Sequence, residues 1–403
     1  MSNIKFLSTL VPLELEQEID TKSNGIMTDA ANALQWSIYN GLSENYGGEI
    51  DIINLLPVGS FPQYYADPFI KKSFFKTQHS DNNVNIPFCN VKLIRQSSQS
   101  RRVYKALLEA FRDDNDGVLF VYTISTPFVK AIDLLKKVKR NIKVCAIIAD
   151  MPNMSDLAVD RSFVKKIYAN HLANTAFHKL DCIDAYVLLT KHMAEYLNIK
   201  KPFCVVEGIA TEAGKYACDG DIDGERKIIM YSGTLHQRFG ILNLVEAFEK
   251  IRNPKYSLII CGTGDSEALI KKYAASDTRI KFLGKVPRKE VLGLQRNATV
   301  LVNPRQNNES FTKYSFPSKT MEYLSAGKPV IAYKLDGIPD EYDDYIFYVN
   351  DNSVESLAER IEEICEKTND ELEKYGTRGR TFVLDNKNYL IQTKKIMSMM
   401  SNL

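Results

Sequence analysis

Ser315-Phe316-Pro317-Ser318-Lys319-Thr320-Met321-Glu322-Tyr323-Leu324-Ser325-Ala326-Gly327-Lys328-Pro329-Val330-Ile331 reads as one short helix running into a strand. Ser315 is a good N-cap, Pro317 is tolerated only in a first turn, and Gly327 with Pro329 stops the helix. The run Val330-Ile331-Ala332-Tyr333 that follows has the apolar, β-branched character of a buried parallel strand. Open backbone N–H groups make a helix start an anion site. Lys319 stands in that first turn, where the helix dipole disfavours a cation. An anion held between the two would reconcile them. Glu322 follows one turn later and can face the same ligand. The bland alternative is an i,i+3 ion pair between Lys319 and Glu322, worth about 0.2–0.5 kcal/mol.

Around this stretch, strand patterns alternate with helix patterns. Strands are expected at Lys227–Ser232, Ser257–Cys261, Arg279–Leu283, Thr299–Asn303, Val330–Tyr333 and Ile346–Val349. Helices are expected at Gly240–Ile251, Glu267–Ala274, Lys289–Arg296, Phe316–Ala326, Val354–Glu366 and Asn369–Leu384. That alternation predicts a parallel sheet covered by helices, a Rossmann-like domain. The first half repeats it, with strands at Ile4–Val11, Ile50–Leu56, Val91–Ile94, Val118–Thr123, Ile142–Ile148, Ala185–Leu189 and Phe203–Val206. Helices fall at Ala30 through Leu42 after the Asn24-Gly25 turn, and at Val103–Phe111, Phe128–Val138, Phe163–Ala176 and His192–Leu197. Leu56 to Cys89 has little period and reads as a long functional loop facing a partner or acceptor. The expected boundaries are a first domain over 1–211, a linker over 212–226, a second domain over 227–385 and a final helix over 386–403. Asp219, Asp221, Asp223 and Gly224 in the linker open like a calcium loop, but the twelfth position is Met230 and no helix pattern flanks it. A solvated linker is the better reading.

Composition narrows the class. At 403 residues the chain exceeds one ordinary core, and 44% hydrophobic with 25% charged residues is ordinary globular usage. A net charge of +2 argues against a dedicated nucleic-acid binder. No apolar run reaches the roughly 18 residues of a membrane span. The start, Met1 to Phe6, lacks a signal-peptide core, and a cytoplasmic protein is expected. Seven cysteines without a C-x-x-C pair read as small buried hydrophobes in a reducing compartment.

In an open α/β sheet the ligand sits at the carboxyl ends of the strands. Three glycine-bearing strand ends converge there: Ser232-Gly233-Thr234, Cys261-Gly262-Thr263-Gly264 and Leu283-Gly284-Lys285-Val286. Together with Ser315–Ile331 they resemble the donor-site elements of retaining glycosyltransferases of the GT-B fold, specifically glycosyltransferase family 4, in the same order over about 120 residues. In that family a glutamate followed by a small residue, Gly, Lys, Pro, Val and Ile closes the donor site, as Glu322 to Ile331 do here. The resemblance implies two Rossmann-like domains facing across a cleft, with the final helix crossing back to the first domain. It implies that Glu322 holds the ribose hydroxyls, that the helix start at Ser315, Phe316, Pro317, Ser318 and Lys319 holds the diphosphate, and that Gly233 and Thr234 lie against the diphosphate-sugar. Gly262 and Gly264 would line the nucleoside pocket, and Val286 would meet the base through its backbone.

The chain departs from the family pattern in places. Thr234 and Phe239 stand where the family has an arginine and a lysine, Arg238 being one residue off register. Tyr314 occupies the place of the first of the paired glutamates, with Glu309 nearby, and the first-domain histidine is absent beside Asp150. Lys319 would then neutralise the diphosphate without a metal. Gly25 and Asp150 are the acceptor-side candidates; Asp150 would either bind an acceptor hydroxyl or cap Asn153–Ala158. Asp113-Asp114-Asn115-Asp116 reads as a solvated turn, and His171 with His178 lack a third metal ligand. Lys136-Lys137-Val138-Lys139-Arg140, Lys143 and Lys165-Lys166 read as a solvated face or as a contact for an anionic membrane surface. The expected activity is transfer of a hexose-type sugar, from a UDP-sugar first among donors, to a glycan or lipid-linked acceptor. The alternatives are a non-catalytic partner keeping the sugar-nucleotide fold and a nucleotide-sugar epimerase.

Overall fold

The computed structural model describes residues 3–24, 29–151, 180–212, 226–309 and 311–403. Gly25, the helix expected over 163–176 with His171, His178, Lys165 and Lys166, and nearly all of the linker lie outside them. Contacts divide the chain into two units, Met1–Ile209 with Tyr389–Leu403, and Ala210–Asn388.

The strands of the first unit are β1 Ile4–Ser8, β2 Ile50–Asn54, β3 Phe69–Ile70, β4 Ser73–Phe75, β5 Asn83–Asn85, β6 Phe88–Cys89, β7 Asp116–Tyr122, β8 Asn141–Ile148, β9 Ala185–Leu188 and β10 Phe203–Val205. Eight of them form one sheet in the order β10-β9-β8-β7-β1-β2-β5-β4, parallel except for β4 against β5. Its central strands are near-continuous apolar runs, Val118 to Tyr122 all being buried, because helices cover both faces. Helix Thr126–Val138 buries Phe128, Val129, Ile132 and Leu135 at helical spacing.

The region Leu56 to Cys89, expected as a loop, is built differently. It carries β3 paired antiparallel with β6, and β4 and β5 extend the main sheet. Buried asparagines hold it in register: Asn54 Nδ2 donates to Asn85 Oδ1 at 2.8 Å, and Asn85 Nδ2 to Ser73 Oγ at 2.9 Å. The strand expected over Val91–Ile94 is instead a turn. Only Val91 bridges, to Phe61, while Leu93 is 93% exposed and helix Arg95–Ala110 begins at once.

The last helix, Tyr389–Ser401, packs on helix Asp29–Tyr46 within this first unit. Tyr389 Oη donates to the Glu44 carboxylate at 3.1 Å, and Asn45 Nδ2 donates to the Leu390 carbonyl at 2.9 Å. Gln392, fully buried, donates to the Gly208 carbonyl at 2.9 Å.

The second unit is a six-stranded, all-parallel sheet in the order β13-β12-β11-β14-β15-β16. The strands are β11 Lys227–Ser232, β12 Tyr256–Cys261, β13 Ile280–Gly284, β14 Val300–Asn303, β15 Val330–Ala332 and β16 Ile346–Tyr348. Helix Ile241–Lys250 buries Ile241, Leu244, Val245 and Phe248 against it. In register, Ser232 lies beside Cys261 and Cys261 beside Gly284, so three strands end side by side. Among the described residues no helix is long and apolar enough to cross a membrane. Six cysteines are described and all are free, and burial pushes the Cys261 thiol up to about 11 and the Cys365 thiol to about 12.

Candidate active site

Strand order in the second sheet reverses between β11 and β14, and a crevice at such a reversal, beyond the carboxyl ends, is where ligands bind open α/β sheets. Backbone hydrogen bonds knit the strand-end loops there. Gly233 N–H donates to the Cys261 carbonyl at 3.0 Å, Leu235 N–H to Thr263 at 2.9 Å and Gly262 N–H to Gly284 at 2.8 Å. Gly262 has φ +140°, and a Cβ on it would fall 1.8 Å from the Gly233 carbonyl oxygen, so only glycine fits. Gly264 is also tightly placed, against Leu235, whose carbonyl oxygen would meet a Cβ at 2.4 Å. Thr234 is exposed, with its carbonyl accepting from Tyr231 Oη at 2.9 Å. Val286, two residues beyond β13, is half-buried against the core.

The signature stretch forms helix Ser318–Ser325, which starts two residues later than expected. Ser315 does not cap it; the cap position is Pro317, in extended conformation, and no side chain caps the first turn. Ser315 instead ends a short 3₁₀ turn, and its Oγ accepts from Arg305 Nη2 at 3.2 Å. Phe316 and Pro317 are buried, Phe316 with its ring centroid 5.3 Å from that of Tyr342, so these two side chains anchor the helix in the core. Ser318 is exposed at the helix start. At the other end Gly327 takes φ +76° and terminates the helix, as the sequence predicts.

Lys319 lies beside the β11 loop, its Cε 3.7 Å from where a Cβ on Gly233 would stand. Its Nζ donates to Glu322 Oε1 at 2.8 Å, so the i,i+3 pair is formed. Glu322 has further partners that come from another helix, Arg288–Asn297: Gln295 Nε2 donates to Oε1 at 2.6 Å and Arg288 Nη1 to Oε2 at 3.3 Å. Burial pushes the Glu322 carboxyl up, but the Lys319 charge and the hydrogen bonds from Lys319 and Gln295 outweigh it and hold the group below its ordinary range. Tyr323, fully buried next door, fastens the same helix to β11. Its Oη accepts from Ser232 N–H at 2.9 Å and donates to the Ser232 carbonyl at 3.1 Å.

Two arginines flank this helix start. Arg238 approaches Glu309 at 3.7 Å and lies 4.5 Å from the centre of the Phe311 ring. Arg305, 8% exposed and just beyond β14, lies 4.5 Å from the same ring and 5.3 Å from that of Phe239. The second unit therefore brings Gly233, Gly262, Lys319 and Glu322 together, with Arg305 on Ser315 and Arg238 sharing the Phe311 ring with Arg305.

Residues 217–382 match the family model described as glycosyl transferases group 1. A probable glycosyltransferase of Pseudomonas aeruginosa, WbjE, is 28% identical over 148 residues, 35% of this chain and 36% of that protein, so the match spans about a third of the relative's length. Sucrose-phosphate synthase from Thermosynechococcus elongatus aligns over 99% of this chain and 98% of its own, with TM-score 0.65 and 14% identity. HepE of Anabaena, solved in complex with UDP, aligns over 100% of both chains with TM-score 0.64 and 13% identity. A trehalose-6-phosphate protein from E. coli bound with UDP-2-fluoro glucose aligns over 100% of this chain and 99% of its own, with TM-score 0.65 and 12% identity. These likenesses show the GT-B fold, and the family match lies within the second unit.

In the first unit, Asp150 lies two residues beyond β8 and is exposed, and its charge adds to the burial that raises the phenol of Tyr122 at the end of β7. The next residue of that edge, Thr123, has φ +68°, a strained conformation for a β-branched residue. Much of the basic run is locally engaged: Lys136 pairs with Asp184 at 2.8 Å, and Lys139 donates to the Asp114 carbonyl at 2.8 Å. Asp113–Asp116 thus borders a lysine-tied turn.

Gln295, Arg288 and Arg305 were not singled out from the sequence. For Gln295 the one available signal is a polar residue three positions after Leu292 on a buried stripe. Arg305 offered none beyond its place after a strand.

Proposed function

We propose that the chain is a retaining glycosyltransferase that moves a hexose-type sugar from a nucleotide diphosphate sugar to a glycan or lipid-linked acceptor. The observation that carries this reading is the Glu322 carboxylate, ionised and held at the sheet's reversal point within reach of the Gly233 loop by Lys319. A fixed, charged carboxylate beside an uncapped helix start suits a ligand with ribose hydroxyls next to a diphosphate. Glu322 accepts from the ribose, and the first N–H groups of helix Ser318–Ser325 meet the diphosphate over the Gly233–Thr234 turn. As the sugar–phosphate bond breaks, Lys319 swings from Glu322 to the leaving diphosphate and stabilises its charge. Arg238 and Arg305 add positive potential on the Ser315 side. Gly262, Gly264 and Val286 border the nucleoside, and Asp150 orients the acceptor hydroxyl. UDP is the first nucleotide to consider, because two neighbours of the same fold were solved with UDP or a UDP-sugar. A lipid-linked acceptor would bring the chain to an anionic membrane surface. Salt-sensitive co-sedimentation with acidic vesicles tests that part, and no pelleting at low salt ends it.

The deciding experiment is thermal stabilisation by UDP-, GDP-, ADP- and dTDP-sugars, with Glu322→Ala in parallel. The expected result is a shift with one nucleotide class that the variant loses. No shift with any donor defeats the reading. Binding without turnover over a wide acceptor panel would leave a nucleotide-sugar binding module.

A further inference from the structure

We propose that Gln295 is a positioning residue for donor binding: it holds Glu322 so that Oε2 is the oxygen offered to the ribose. This rests on the reading of Glu322 given above. Gln295 is 0% exposed, an amide set among the core residues of its helix. Its Nε2 has two acceptors, Glu322 Oε1 at 2.6 Å and Ser232 Oγ at 2.8 Å. Ser232 is the last residue of β11, so the amide ties the carboxylate to the fixed end of a central strand.

The other half of the amide shows why this is more than packing. Among the described residues, Gln295 Oε1 is buried with no hydrogen-bond partner. A buried carbonyl in that state is a liability that leucine or methionine would avoid at similar volume. What glutamine adds over them is the N–H pair, and that pair is fully used.

The contacts also divide the two carboxylate oxygens. Oε1 receives both Lys319 and Gln295, whereas among the described residues Oε2 meets only Arg288, 56% exposed, at the longer distance of 3.3 Å. Oε2 therefore keeps accepting capacity toward a ligand. The terminal torsion of a glutamate is soft, and with Lys319 alone the carboxylate would swing whenever that lysine left for the diphosphate. A neutral, buried donor on Oε1 lets Lys319 move while Glu322 keeps its orientation.

The test is calorimetric titration with UDP across pH for the wild type, Gln295→Leu and Gln295→Glu, with melting curves and donor hydrolysis kinetics. Gln295→Leu is expected to raise the UDP dissociation constant and KM about ten- to hundredfold, with kcat less affected and melting held or raised. Gln295→Glu sets a second carboxylate against Glu322, and two such groups share one proton. That proton can replace the amide N–H, so binding should approach wild type at acid pH and fall as pH rises, an alkaline limb absent from the wild type. UDP affinity within twofold of wild type in Gln295→Leu, or a wild-type pH profile in Gln295→Glu, overturns the proposal. If Gln295→Leu fails to fold, the pH profile of Gln295→Glu decides alone. A wild type that binds none of UDP, GDP, ADP and dTDP defeats the donor-site reading and this role with it; binding that survives Gln295→Leu defeats only this role.

Discussion

At Glu322, donors from two helices meet one carboxylate, and the balance among them makes separable predictions. Glu322→Ala should raise nucleotide dissociation constants about ten- to hundredfold, the range expected for hydrogen bonds to a charged group, as read by titration calorimetry. Lys319→Ala should act on the chemical step, lowering kcat roughly a hundredfold with a smaller change in KM. Equal loss in both parameters would make Lys319 a ground-state ligand only. The depressed Glu322 carboxyl also has a pH signature. A carboxyl held below its unfolded value contributes stability above that value, about 4.3 for glutamate, and loses it as pH falls through the lower folded value. Melting temperature should therefore drop more steeply below about pH 4.3 in the wild type than in Glu322→Gln. Parallel acid limbs would contradict that assignment.

Helix Ser318–Ser325 is placed by its side chains rather than by a cap. Tyr323→Phe removes the hydroxyl that serves both backbone groups of Ser232, leaving two buried groups without it. The expected loss is about 1–3 kcal/mol per orphaned group, seen as a lower melting temperature with weaker nucleotide binding. This helix and the strands around it were legible because Lys319, Glu322, Gly327 and Val330 carry local signals: a dipole conflict, a stop and a β-branched run. The cap was misread because Ser315 has good capping chemistry, whereas burial of Phe316 and Pro317 starts the helix later. Val91–Ile94 failed as a strand for the opposite reason, since Leu93 is β-like in company but finds no neighbour and faces solvent. The short strands between Phe69 and Cys89 gave no period because asparagines, rather than alternating apolar residues, hold them in place. Gln295 and Arg305 reach the site through sheet topology, which spacing along the chain does not encode.

The chain as a whole enters the first unit, leaves it for the second and returns. Because helix Tyr389–Ser401 lies against helix Asp29–Tyr46, truncation after Asn388 should lower the melting of the first unit while leaving intact every residue named for nucleotide binding. Differential scanning calorimetry with and without UDP should show one transition displaced downward and a second still raised by the nucleotide. Equal displacement of both would mean that the units melt as one.

The same return has a consequence in time. On the ribosome the first unit's early strands emerge well before their closing helix, with Ala210–Asn388 made in between. At about 5–20 residues per second, a segment of this size takes roughly 10–40 s to synthesise. Throughout that interval the face of helix Asp29–Tyr46 that receives Tyr389 and Leu390 is uncovered on a nascent chain, and chaperone demand should peak there rather than after release.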